Sequence, residues 1–212
     1  MADGGVAGLV LAAGAGRRMG GPKALLRLSP SGPSLVETAI ARLHDAGVVD
    51  VHVVVGSSAE QVTARAQRVG GIVVEATDWD DGMGASLRRG LEALADTGAE
   101  AALLMLVDLP DVGVEVHARV LASIVSQGES EGPDESEGEG RREGDLAAAL
   151  VRAAYEGRPG HPVILGREHW QAVHDSAVGD HGARDYFLAH RPLLVECGDL
   201  ATGRDIDRPT DV

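Results

Sequence analysis

The sequence predicts an α/β fold, a largely parallel sheet carrying helices on both faces. Short apolar runs at 6–13, 51–55, 72–75 and 101–107 have the length and residue content of buried strands. Segments with helix start and stop signals separate most of them, and such alternation builds parallel sheets. The first run breaks into Gly14-Ala15-Gly16, with Arg17, Arg18 and Lys23 close behind. A glycine turn beyond a strand's carboxyl end is where open α/β sheets bind ligands.

The elements follow in order. Residues 24–28, A-L-L-R-L, read as a short strand. Ser34 and Glu37 form a capping-box pattern for a helix running to about Ala46, with Gly47 at its C-terminal stop. The strand at 51–55 ends at Gly56, and a helix over 58–69 closes at Gly70-Gly71 before the strand at 72–75. Residues 77–87 break the rhythm as a loop entering a helix, with Gly82 and Gly84 permitting unusual backbone and Ser86 in the first turn. The strand at 101–107 runs into Asp108-Leu109-Pro110, and a helix covers 114–126.

Residues 128–145 contain none of the hydrophobic types, 8 acids and 2 arginines, a net of −6. Such a stretch cannot bury enough surface to order itself. It reads as a disordered acidic insertion within one domain spanning 1–212. A strand at 147–155 follows, then a turn carrying His161 between Pro159 and Pro162, and a returning strand. Residues 179–184 open a helix, and a last strand at 193–197 precedes D-I-D-R-P-T-D at 205–211.

At 44% hydrophobic the chain can build a core, and at 2% aromatic that core must be Ala, Val and Leu. A net charge of −14 argues against nucleic acid as a partner, since phosphate backbones need a basic face. It leaves room for a nucleotide, which needs only a local pocket of cations. One cysteine, Cys197, excludes an internal disulfide and a CxxC metal knot, and reads as a small apolar filler. No basic-plus-apolar leader and no apolar run of about 18 residues occur, which predicts a cytoplasmic protein with no membrane partner.

Two phosphate-loop patterns fail at the first turn. Lys23 lies between Pro22 and Ala24, so there is no G-x-x-x-x-G-K-[ST]; Met19 stands where G-x-G-x-x-G needs its third glycine. The stretch L-A-A-G-A-G-R-R-M-G-G-P-K, Leu11 to Lys23, instead resembles the signature loop of the MobA-like nucleotidyltransferases, L-A-[AG]-G-x-[GS]-x-R-M-G-x-x-K. The resemblance implies a three-layer α/β/α Rossmann-like nucleotidyltransferase fold whose sheet has an antiparallel portion near the C-terminus. It places Leu11, Ala12, Ala13, Gly14, Ala15 and Gly16 around the nucleotide, with Arg18 and Lys23 as catalytic cations on its triphosphate.

Further segments resemble the same family. W-x-x-G-M-x-x-S-L suggests that Asp78, Gly82 and Ser86 lie on the nucleotide side. V-D-L-P makes Asp108 a catalytic metal carboxylate, and D-I-D-R-P makes Asp207 the second; a helix cap is the other, compatible role for Asp108. Mg²⁺ suits such a pair, because it takes one or two carboxylates plus substrate phosphates. P-G-H-P-V puts His161 on the acceptor side, and G-D-H-G-A-R adds Gly182 and Arg184 there, where plain N-capping is the alternative.

The implied reaction is Mg²⁺-dependent nucleotidyl transfer to an acceptor phosphate with release of pyrophosphate. L-A-A-G resembles the cytidylyl-transferring, MocA-like branch, whereas the guanylyl-transferring branch usually has L-A-G-G. The expected substrates are therefore CTP and molybdopterin, the molybdenum cofactor, with a receiving molybdoenzyme or its chaperone downstream. The alternatives are GTP-dependent guanylyl transfer, sugar-phosphate or methylerythritol-phosphate nucleotidyl transfer, and a non-catalytic nucleotide-binding module.

Overall fold

Among the described residues seven strands form one sheet in the order β3-β2-β1-β4-β6-β5-β7. They are β1 (Val6–Leu11), β2 (Val51–Val55), β3 (Ile72–Glu75), β4 (Ala101–Leu106), β5 (Leu150–Tyr155), β6 (Arg158–Gly166) and β7 (Leu193–Glu196). The computed structural model describes residues 5–126, 145–208 and 210. β6 alone runs against its neighbours: it pairs antiparallel with β4 and β5, while every other pairing is parallel. β5 and β6 join through Glu156 and Gly157, both at positive φ (51° and 73°), the twist a tight hairpin favours.

Among the described residues six α-helices cover the sheet: α1 (Leu35–Asp45), α2 (Ala59–Arg68), α3 (Met83–Ala95), α4 (Val114–Ser126), α5 (Arg167–Ser176) and α6 (Arg184–His190). Alternation along the strands divides the core in two. Val10, Val53, Leu103 and Met105 pack with Val36, Ile40 and Val120, on the face of α1, α2 and α4. Leu9, Leu11, Val54 and Leu104 pack with Leu87, Leu91, Trp170 and Phe187, on the face of α3, α5 and α6. Among the described residues, no helix is long and apolar enough to cross a membrane.

The chain lays down β1, β2 and β3 outward, then returns to place β4 on β1's other side. The loops leaving β1 and β4 therefore diverge over a crevice at the sheet's switch point.

Several local expectations need correction. Residues 24–28 are not a strand: Lys23–Leu25 form a 3₁₀ turn, and among the described residues the segment's ladder contact is an isolated bridge between Arg27 and Ser34. Apolar content marked that segment as buried, but Pro22 starts a turn and no neighbouring strand offers a ladder. The strand expected from 147 begins at Leu150, after a 3₁₀ turn (Leu146–Ala148) that Asp145 caps by accepting from the Ala147 amide. His161 does not sit in a turn. The reversal comes earlier, at Glu156-Gly157, and His161 lies within β6. The acidic stretch expected at 128–145 lies outside the described residues apart from Asp145.

Candidate active site

The crevice is built from three chain segments. β1 ends at Leu11, and Ala13, Gly14, Ala15 and Gly16 then line a cleft of about 380 Å³. Gly16 has φ +57°, and a Cβ there would fall 1.9 Å from the Gly21 carbonyl oxygen, so only glycine closes this loop. A Cβ on Gly14, in contrast, would meet nothing within 4 Å. Among the described residues, the amides of Gly14, Ala15 and Gly16 donate to no backbone carbonyl, which leaves them available to an anion in the cleft.

β4 delivers Asp108 to the same edge. The third segment passes beside it: the Ile206 amide donates to the Asp108 carbonyl at 3.0 Å, which holds Asp205 and Asp207 against the end of β4. Carboxylate oxygens of Asp108, Asp205 and Asp207 all lie within 4.8 Å of one another. Lys23 closes the arrangement, with Nζ donating to Asp108 Oδ2 at 2.8 Å and to Asp207 Oδ1 at 2.5 Å. Desolvation works against that charge, but the hydrogen bonds and pull of the two aspartates outweigh it and hold the ammonium's pKa above its ordinary value.

The loop before α3 forms the opposite wall. Trp79, Asp80, Gly82, Met83 and Ser86 line the cleft. Gly56 makes room for Trp79, since a Cβ there would fall 2.5 Å from the indole's Cγ. Gly82 (φ +110°) and Gly84 let the start of α3 press against Ala177–Gly179.

A second, more apolar cavity of about 710 Å³ adjoins the first, and the two share Leu11, Met83, Leu106 and Asp180. Its wall carries Arg152, His161, Gly182, Arg184 and Arg191, with Phe187 and Leu188 supplying apolar surface. Burial, with the Arg152 guanidinium adding to it, lowers the His161 pKa to about 3, so the ring is neutral at physiological pH. Its carbonyl accepts from the Tyr155 hydroxyl at 2.6 Å.

The sequence-selected residues separate as follows. Leu11, Ala13 to Gly16, Lys23, Gly82, Ser86 and Asp108 line the first cleft; His161, Gly182 and Arg184 line the second cavity. Asp207 joins Asp108 through Lys23. Three stand apart. Ala12 is buried in the core on the α1 face. Asp78 turns to Arg89 Nε at 3.3 Å and to Arg88, away from the cleft lining. The Arg18 side chain is 79% exposed and absent from the cleft lining, though it reaches the acid cluster at Asp207, 3.8 Å away; its neighbour Arg17 lines the cleft.

The donor set fits a hard divalent cation: three carboxylates converge, and the adjacent amides and lysine suit the phosphates that would complete its shell.

Residues 8–193 match the family model for the MobA-like NTP transferase domain. The chain belongs to that family. It is 36% identical over 209 residues to "Nicotine blue oxidoreductase" of Paenarthrobacter nicotinovorans, covering 95% of this chain and 92% of that one. A nucleotidyl transferase of Methanothermobacter shares the fold at TM-score 0.72 and 22% identity, over 97% of this chain and 93% of that one. So does a homologue, from Mycobacterium sp. strain JC1, of Mycobacterium tuberculosis Rv0371c, at TM-score 0.72 and 23% identity, over 97% and 92%. The protein is thus a nucleotidyltransferase of the MobA-like family with the family's mixed sheet.

Sequence reasoning passed over Asp205, although it stands in the same D-I-D motif as Asp207. Arg17 was passed over for its neighbour. Trp79, Asp80, Asp180, Arg152 and Arg191 also line the two cavities of this MobA-like domain. For Arg152 no local signal existed: it is one polar residue in an apolar strand, and only β5's place in the sheet brings it to the cavity.

Proposed function

We propose that the protein is a Mg²⁺-dependent cytidylyltransferase that transfers CMP from CTP to the phosphate of molybdopterin, releasing pyrophosphate. The observation that carries this reading is the groove in which loop amides that donate to no carbonyl among the described residues, Lys23 and three carboxylates adjoin an apolar cavity walled by arginines. A binding module would need the first cleft but not the acid cluster.

The first loop receives the triphosphate on its amides, with Arg17 and Lys23 supplying charge. Asp108, Asp205 and Asp207 would hold the cation, which when bound neutralises phosphate charge and polarises the reacting phosphorus. In the transfer, an acceptor phosphate oxygen bonds to the α-phosphorus, the α–β bridging bond breaks, and pyrophosphate leaves with that electron pair. The attacking oxygen is already anionic, so no strong base is needed. Neutral His161 accordingly acts as an acceptor-side contact rather than as a proton donor. Catalysis is then positioning and charge neutralisation. The choice of CTP rests on Ala13, which lines the cleft where the guanylyl branch usually has glycine and so leaves less room for a purine.

A second reading comes from the 36% identical relative, which is named as an oxidoreductase. On that reading the two cavities would hold the partners of a redox reaction.

One experiment separates these. The protein is incubated with Mg²⁺ and each of CTP, GTP, UTP and ATP, with and without molybdopterin, and pyrophosphate is measured; sugar phosphates and methylerythritol phosphate serve as rival acceptors. CTP- and molybdopterin-dependent release supports the proposal. Release with GTP alone overturns the cytidylyl choice, and release only with another acceptor overturns molybdopterin. No release, together with reduction of nicotine blue by an added electron donor, favours the second reading.

A further inference from the structure

The second cavity carries more positive charge than one reacting acceptor phosphate would use. Arg152, Arg184 and Arg191 all line it, in a chain whose net charge is −14. Among the described residues, none of the three forms an ion pair with a carboxylate. Asp180 is the one acid on the wall, and His161 is neutral.

Arg152 is the most constrained of the three. Its Nε donates to the Gly160 carbonyl at 2.8 Å, and its guanidinium carbon lies 5.4 Å from the centre of the Phe187 ring. These contacts fix the plane of the guanidinium and leave the terminal N–H groups without partners among the described residues. A cation held against an apolar wall with unused donors is costly unless a ligand brings negative charge.

The register locates it. Arg152 is level with Val163 on β6, which is level with Leu104 on β4. Arg152 therefore lies two strand spacings, about 10 Å, across the sheet from β4. It also lies four residues back from Asp108 along the strand, a further ~13 Å. Its side chain leans toward that edge only as far as the Gly160 carbonyl, where the guanidinium is held against Phe187 and not at the acid cluster. One compact phosphate cannot serve both places.

We infer that Arg152 reads a second negative group on the acceptor, carried on the part of the molecule that fills the apolar cavity, away from the phosphate that reacts. This rests on the reading of the two cavities as halves of one transfer site. It makes acceptor choice depend on charge at a distal group, and it sets an anionic ligand apart from a neutral aromatic one of the same shape. Arg152 acts here in specificity and takes no part in bond making.

The test uses a pair of probes as well as turnover. 8-Anilinonaphthalene-1-sulfonate has an aromatic body with one anionic group; N-phenyl-1-naphthylamine has the same body without it. Titrated by fluorescence into the full chain, the sulfonate should bind at least tenfold more weakly to Arg152→Met than to wild type. The neutral probe should bind both alike, and Arg152→Lys should recover part of the loss. In the pyrophosphate assay, Arg152→Met should raise the KM for molybdopterin at least tenfold and leave the KM for CTP unchanged. Equal sulfonate affinity in wild type and Arg152→Met, or equal loss for both probes, overturns the inference. Failure of the wild type to release pyrophosphate with any nucleotide overturns the transfer reading instead, and the probe result still decides whether Arg152 reads charge.

Discussion

Lys23 Nζ lies 2.8 Å from Asp108 Oδ2 although the two residues are 85 positions apart. The same nitrogen reaches Asp207, 184 positions away. The Lys23 and Asp108 side chains are only 19% and 17% exposed, so the ammonium offsets acid repulsion where water screens it poorly. It stands where a divalent cation would neutralise the same carboxylates. Removing one partner of such a group leaves uncompensated charge.

Lys23→Met should therefore lower Tm in EDTA by about 5 °C, corresponding to ~2 kcal/mol in a chain of this size. Added Mg²⁺ should restore more of that loss than it adds to wild type. Calorimetric scans with and without Mg²⁺ check this, and an unchanged Tm in EDTA would mean that the bridge contributes nothing.

Asp108→Ala should reduce turnover at least ~10²-fold, as loss of electrostatic groups commonly does. Asp205→Ala should weaken Mn²⁺ binding, followed by electron paramagnetic resonance without nucleotide, by about tenfold, the scale seen when groups supporting a metal site are lost. Mn²⁺ affinity equal to wild type would remove Asp205 from the site.

The two loop glycines should behave oppositely. Gly16→Ala places a Cβ against the Gly21 carbonyl at φ +57° and should cost about 2 kcal/mol of stability. Gly14→Ala has free space around it and should leave Tm unchanged, while raising the nucleotide KM because the methyl enters the cleft. Equal Tm losses in both variants would contradict the loop geometry.

His117 on α4 is fully buried, and neither ring nitrogen has a partner among the described residues. Burial, with a smaller contribution from Arg42, lowers its pKa from 6.5 to about 4. The unfolded chain takes up this proton below pH 6.5, the folded chain only near pH 4, so each step down in that window favours unfolding. Stability should fall by about 3 kcal/mol across it from this group alone. His117→Leu should flatten that part of the curve, which urea unfolding between pH 7 and 4 measures; an identical slope in the variant would exclude His117 as a cause.

Much of the scaffold was legible because its determinants are local. Ser34 and Glu37 form the capping box expected of them, and Gly47 sits at φ +90° just past α1. The runs forming β1, β2 and β4 are buried on both faces, so their apolar content alone marked them, whereas β3 lies at the sheet's edge with Ile72 and Glu75 exposed. Residues 24–28 misled because an apolar segment can be buried as a turn as easily as in a ladder. His161 misled because its flanking prolines signalled a turn, whereas the chain reverses two residues before Pro159.

The sequence by itself determined the elements of the parallel half, the glycine loop, and which carboxylates and cations were available. Each depends on residues within a few positions of one another, where backbone preference and side-chain period act directly. Tertiary structure alone decided that Lys23, Asp108 and Asp207 meet, that Arg17 rather than Arg18 faces the cleft, and that Asp78 pairs with Arg89. It also brought Arg152 to Phe187 and the cavity. Those juxtapositions come from strand order and from β6 running against its neighbours, and no local pattern encodes which distant loops a sheet will bring to one edge.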